Sequence, residues 1–174
     1  MVNLIHMKKL PILKKIVSGG QTGADRAALD VAIAHGIPHG GWVPAGRIAE
    51  DGVIPDNYHL MELASKEYDA RTKMNVIDSD GTLVISHGLL TGGSALTYEF
   101  ARQQGKPCLH LHLNEMSTTQ AVKGTKKWLR DNSVHVLNVA GPRASKDWKI
   151  YEAVTLVLKN LIGDLPDQAS RLPK

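Results

Sequence analysis

The residues best suited to chemistry in this chain sit where glycines crowd between an apolar run and a helix-forming one. Residues 16–38, IVSGGQTGADRAALDVAIAHGIP, set Gly19, Gly20 and Gly23 around Gln21 and Thr22. Amides at a helix start have no intrahelical acceptor, and with the positive end of the helix dipole they attract phosphate or carboxylate. Glycine lets the chain take positive φ and lets a ligand approach the backbone. The spacing matches neither G-x-G-x-x-G nor G-x-x-x-x-G-K-[ST], so the turn reads as an anion site without the fingerprint of a dinucleotide fold or a P-loop. Thr22 to Asp25 also fits a capping box with Asp in place of Glu, which leaves Asp25 either a cap or a ligand contact. Arg26 is placed to meet a phosphate or Asp30, four residues on.

The segment 86–100, SHGLLTGGSALTYEF, repeats the design. Ser86 ends an apolar run, Gly92 and Gly93 offer amides, Ser94 is the expected N-cap, and Thr97 and Glu99 fall in the first turns. Two such loops on one sheet edge suit an elongated ligand with anionic and polar parts. Glu99 is the lone carboxylate there, able to act as a general base, to hold a ribose hydroxyl, or simply to face solvent. In NVAGPRAS, Arg143 and Ser145 follow a third apolar run, and the Arg143 fork fits a phosphate or a surface ion pair. WVPAGRIAEDGVIPDNY is a long loop carrying Arg47, Glu50 and Asp51, and long loops in compact domains are commonly functional. His110 and His112 alternate on one strand face, but no zinc-ligand spacing accompanies them, so they read as structural. Cys108 reads as core, and no G-x-S-x-G elbow appears.

These residues need a scaffold that gathers loops. Lys15–Ser18, a short strand near Gly41–Val43, and the runs 81–86, 107–113 and 134–141 read as five strands. Helices are expected over Thr22–His35, Tyr58–Thr72, Ser94–Gln104, a stretch capped by the Ser117–Gln120 box, and Asp147–Ile162. Alternation of this kind predicts an α/β fold, a three-layer Rossmann-like open sandwich with a mostly parallel five-stranded sheet. Ligands in such sheets bind at the carboxyl ends of the strands. A single domain is expected over residues 1–174, with its core at about 14–162 and loose termini.

The chain has 174 residues, net charge +4, a pI near 9.2 and one cysteine. It needs no disulfide framework, and the lack of an 18-residue apolar run speaks against a membrane helix. The opening residues do not follow the charge order of a secretory signal, so the cytoplasm is the expected location. Lysines cluster at 8, 9, 14 and 15 and at 123, 126 and 127, which reads as solvated surface. Aromatics are only 5% and not interleaved with them, giving little support for nucleic-acid binding.

The stretches SGGQTGADRAALDVA, AEDGVIPDNY, RTKMNVIDSDGTLVIS, GGSALTYEFA and LNVAGPRAS, in that order, resemble the molybdenum carrier family, the circularly permuted YpsA-like branch of the SLOG superfamily. The resemblance spans roughly residues 14–162. It implies a Rossmann-like fold, a small phosphate-bearing or nucleotide-derived ligand with molybdenum cofactor as the candidate, and a homo-oligomer. Carried over by motif, the ligand loops fall on Gly19, Gly20, Gln21, Thr22, Gly23 and Asp25 and on Gly92, Gly93, Ser94 and Thr97. The RT..NV..SD motif holds Arg71, Asn75, Ser79 and Asp80, with Asn75 and Asp80 also suited to fixing the loop before the strand. Ala45 stands where the family often carries a second basic residue beside Arg47. The neighbouring Lonely Guy phosphoribohydrolases use G-G-x-G-T-x-x-E; here Gly92 to Glu99 keeps the glycine pair and the glutamate without the Gly-Thr between. The leading expectation is therefore a binding protein. An N-glycosidic hydrolase using Glu99 is the alternative, and a nucleic-acid-associated protein the third reading.

Overall fold

The computed structural model describes residues 13–163; the lysines at 8 and 9 and the tail expected after GDLPDQ lie outside them. Strand β1 (Lys15–Val17) leads through a glycine turn into α1 (Ala24–Ala34), which ends at Gly36 with φ 63° before Pro38. Then come β2 (His39–Gly40), β3 (Trp42–Val43), the hairpin β4 (Ile48–Ala49) and β5 (Gly52–Val53), β6 (Met61–Glu62) and α2 (Tyr68–Ile77). The second half alternates β7 (Gly81–Ser86), α3 (Gly92–Gln103), β8 (Cys108–His112), α4 (Thr118–Asp131), β9 (Val136–Ala140) and α5 (Ile150–Gly163).

The main sheet has five strands in the order β2-β1-β9-β7-β8, with every pairing parallel. β9, last in sequence, fills the centre, pairing Ile16 with Leu137 on one side and Leu83 with Val139 on the other. α1 packs on α5 and α5 on α4, while α2 packs on α3, which covers the sheet on both faces. Buried parallel strands need near-continuous apolar runs, and β7 is buried at every residue. Ala24, Ala27, Ala28 and Ala32 present no side chain longer than a methyl, so α1 seats closely against Ile16, Leu137 and the apolar face of α5. Among the described residues no helix is long and apolar enough to cross a membrane.

The helix expected over Tyr58–Thr72 is replaced by a strand-containing loop, and α2 begins only at Tyr68. Long-range partners hold the segment instead. Met61 N–H donates to Gly41 O at 2.8 Å and Leu63 N–H to Val43 O at 2.9 Å, making β6 a partner of β3. Tyr58 is buried in a small second cluster with Leu29, Val43, Ala49 and Ile54, and its hydroxyl donates to Asp30 at 2.6 Å. The strand expected near Gly41–Val43 is in fact two, with only β2 joining the main sheet. The Ser117–Gln120 capping box forms as expected, Gln120 N–H donating to Ser117 Oγ at 3.2 Å.

Candidate functional site

The carboxyl ends of β1, β9 and β7 converge on a cavity of about 500 Å³. β1 contributes Gly19, Gln21 and Asp25 through its following turn; β7 contributes Ser86 and the bend from Leu89 to Thr97; β9 contributes Asn138 and the chain running to Arg143 and Lys146. α2 closes the remaining side with Arg71, Thr72 and Asn75. The two glycine bends thus meet across one cavity, although they meet it differently.

In the β1–α1 turn three of the amides, those of Gln21, Thr22 and Ala24, are already engaged by the protein. Thr22 N–H donates to Gln21 Oε1 at 3.0 Å, Ala24 N–H to Pro142 O at 3.2 Å, and Gln21 N–H to Asp25 Oδ2 at 3.4 Å. Nor do the glycines leave room. A methyl group on Gly23, whose φ is 79°, would stand 2.5 Å from Pro142 O; one on Gly20 would meet Leu60 and Ile54; one on Gly19 would overlap the Arg71 guanidinium. The Thr22–Asp25 capping box does not form: Gly23 is the N-cap, and the Thr22 hydroxyl donates instead to Glu50. Glu50 also accepts from Ser145 N–H and Oγ and lies 3.9 Å from Arg143, fastening the long loop to the β9–α5 connection.

The β7–α3 bend is the reverse. Thr91, not Ser94, is the N-cap, and Gly92 and Gly93 open the helix. Among the described residues nothing lies within 4 Å of where their side chains would begin. The first N–H groups of a helix have no intrahelical acceptor, so these amides are available to a ligand. Thr97 Oγ1 donates back to Gly93 O at 2.8 Å, and Ser94 is buried at the cavity wall.

Arg71 is the cation at the centre of the site. Its Nη1 donates to Asp25 Oδ2 at 3.0 Å, with both side chains largely buried, and its Nε is buried without a partner. Gln21 Nε2 is likewise buried and unpartnered. Leaving such donors unmade costs about 1–3 kcal/mol each. Burial pushes the Asp25 carboxyl above its ordinary range, and Arg71 opposes that shift. With Arg143 and Lys146 at the rim, three cations line the cavity against the single carboxylate of Asp25. The resulting field favours an anion.

Several expected site residues serve other purposes. Arg47 donates to the carbonyls of Ile54, Pro55, Tyr58 and Leu60 and so staples its own loop. Arg26 pairs with Asp51 rather than Asp30, donates to Gly20 O at 3.2 Å, and lies 5.3 Å from the Tyr58 ring centroid. Glu99 is outside the cavity; Arg102 and Gln103 hydrogen-bond it and hold its carboxyl below the usual range. Ser86 Oγ donates to Gly88 O at 2.7 Å and sits 2.8 Å from His110 Nε2, and burial lowers the pKa of that imidazole below its ordinary value. Asn75 bridges to Trp42 through both its amide groups, and Asp80 accepts from His135 and Val136 N–H at the entry to β9. Burial pushes the Cys108 thiol up to about 12, as for a packing residue. Among the described residues no cluster of His, Cys, Asp and Glu is arranged to hold a metal ion.

An open, all-parallel α/β sheet with a polar, cation-lined cavity at its carboxyl edge defines a ligand-binding Rossmann-like protein. The sequence model of the circularly permutated YpsA SLOG family matches residues 16–162, and the chain belongs to that family. A crystal structure from Syntrophus aciditrophicus SB, described as a "Putative molybdenum carrier protein", is 55% identical and covers 87% of this chain and 96% of its own, with a TM-score of 0.87. An (E)-4-hydroxy-3-methyl-but-2-enyl diphosphate reductase is 13% identical over 83% of this chain and 59% of its own, with a TM-score of 0.38, too low to carry an argument. No curated protein matches.

Proposed function

We propose that this chain is a binding protein for a small phosphate-bearing, nucleotide-derived ligand, with molybdenum cofactor as the candidate; the Syntrophus neighbour is described as a molybdenum carrier. The observation that carries the reading is the open α3 N-terminus facing Arg71 across the cavity. In this reading the Gly92 and Gly93 amides receive a phosphate, Arg143 and Lys146 neutralise it from the rim, and Arg71 adds charge from the opposite wall. A volume of about 500 Å³ lies within the usual range of small-molecule sites. The hydrolase alternative lacks its carboxylate: Glu99 is exposed and ion-paired outside the cavity, and Asp25 is tied to Arg71.

Calorimetric titration with 5′-AMP tests the reading. Saturable binding is expected, weakened roughly tenfold or more in Arg143→Ala, the loss of one charge-assisted phosphate contact. Glu99→Gln should bind as the parent does. Absence of binding, or affinity indifferent to Arg143, would contradict the proposal, and release of free adenine dependent on Glu99 would restore the hydrolase. Native mass spectrometry of freshly purified protein adds a direct readout, since a retained cargo shows its mass.

A further inference from the structure

The cavity does not end at Lys146. Ser86, Leu89, Thr91, Pro142 and Lys146 also line a more open groove of about 650 Å³, which continues toward the start of α5. Its wall carries Trp148, 79% exposed, and Leu89, 88% exposed, two large apolar side chains that the core does not use. Lys149 Nζ lies 5.1 Å from the Trp148 ring centroid. Beside them His87 Nδ1 is 2.7 Å from Asp147 Oδ2, both side chains partly sheltered, and Asn114 Nδ2 donates to His87 O at 2.9 Å. The groove therefore combines an aromatic plate with polar groups held in fixed positions. That combination suits a flat heterocycle, which stacks on the plate and hydrogen-bonds through its edge.

Each compartment alone is large enough for a small ligand, and Lys146 stands where they meet. We propose that the ligand spans both compartments: a dinucleotide-type molecule whose linking phosphates lie by Lys146 and whose outer ring rests against Trp148. This inference builds on the phosphate-binding reading of the first cavity and specifies its substrate class. A mononucleotide fills only the first compartment, so it forgoes the stacking contact.

The experiment compares 5′-AMP with diadenosine diphosphate, two adenosines joined through a pyrophosphate, by calorimetry on the full chain. The parent protein should favour the two-ring probe by about tenfold, the usual scale of one stacked base. Trp148→Ala should reduce that preference to about one, and Trp148→Phe, which keeps a flat ring, should retain most of it. Because Trp148 is so exposed, the thermal midpoint of both variants should match the parent, showing that they fold. If AMP binds and depends on Arg143 but the two probes bind alike, or the preference survives in Trp148→Ala, this inference is overturned while the phosphate site stands. If neither probe binds, both fall.

Discussion

The two glycine bends look alike in sequence and are opposites in the folded protein. At the β1–α1 turn the missing side chains make room for the protein itself: Arg71 against Gly19, Leu60 and Ile54 against Gly20, the Pro142 carbonyl against Gly23. At the β7–α3 bend no described residue fills the space beside Gly92 and Gly93. In the first bend the Gln21, Thr22 and Ala24 amides donate to protein acceptors, whereas in the second the Gly92 and Gly93 amides open a helix. Glycine in the first bend is thus a packing requirement, and in the second a means of access. One bend builds the site's wall, and the other faces what the site holds.

The sharpest way to break this contrast is Gly23→Ala. A methyl 2.5 Å from a backbone carbonyl at φ 79° combines backbone strain with overpacking, and should cost about 2–5 kcal/mol in urea unfolding. A stability near that of the parent would mean that the two bends do not differ as described.

Arg47→Ala comes next. Removing a cation that holds four carbonyls of one loop should cost about 1.5–3 kcal/mol. It should change AMP affinity only slightly, because Arg47 lies outside the cavity. A large loss of affinity at unchanged stability would return Arg47 to the ligand site.

A smaller effect is a slope in pH. Burial raises the folded-state pKa of Asp25 above its ordinary 3.8, so the folded chain holds this proton more tightly than the unfolded chain does. The contribution of Asp25 is then full below about pH 4 and is lost as pH rises through its folded pKa. Urea midpoints followed upward from pH 3.5 should fall for the parent relative to Asp25→Asn, then run parallel. Curves parallel throughout would show that Asp25 ionises without penalty.

The smallest effect is Gly93→Ala. Its backbone is helical and the space beside it open, so alanine should stabilise the fold, by up to about 1 kcal/mol, while crowding the phosphate and weakening AMP. A loss of stability would place Gly93 with Gly23 as a packing residue.

What the sequence shows and what it hides divide along similar lines. β7, the Ser117 cap and the stop of α1 before Gly36 are written in adjacent residues, and they fold as their local pattern dictates. The failures are contacts between distant residues. Tyr58 belongs to no helix because Asp30 and the β3 edge hold its segment instead. Arg71 is visible in sequence only as part of a motif, since its partner Asp25 lies 46 positions away. Asn138 carries no spacing signal, and Leu89–Thr91 and Lys146 show only as neighbours of the second glycine bend and of Arg143; the central placement of β9 beside β7 brings them to one cavity. Glu99 misleads for the same reason: its motif names the residue, but helix geometry turns it toward Arg102.

The most direct test of the open-bend account is to titrate ¹⁵N-labelled protein with 5′-AMP and follow individual backbone amides. Saturable shifts should be largest at Gly92 and Gly93 and small at Thr22 and Ala24, whose N–H groups already donate to the protein. The largest shifts at the β1–α1 turn, or none in either bend, would contradict it.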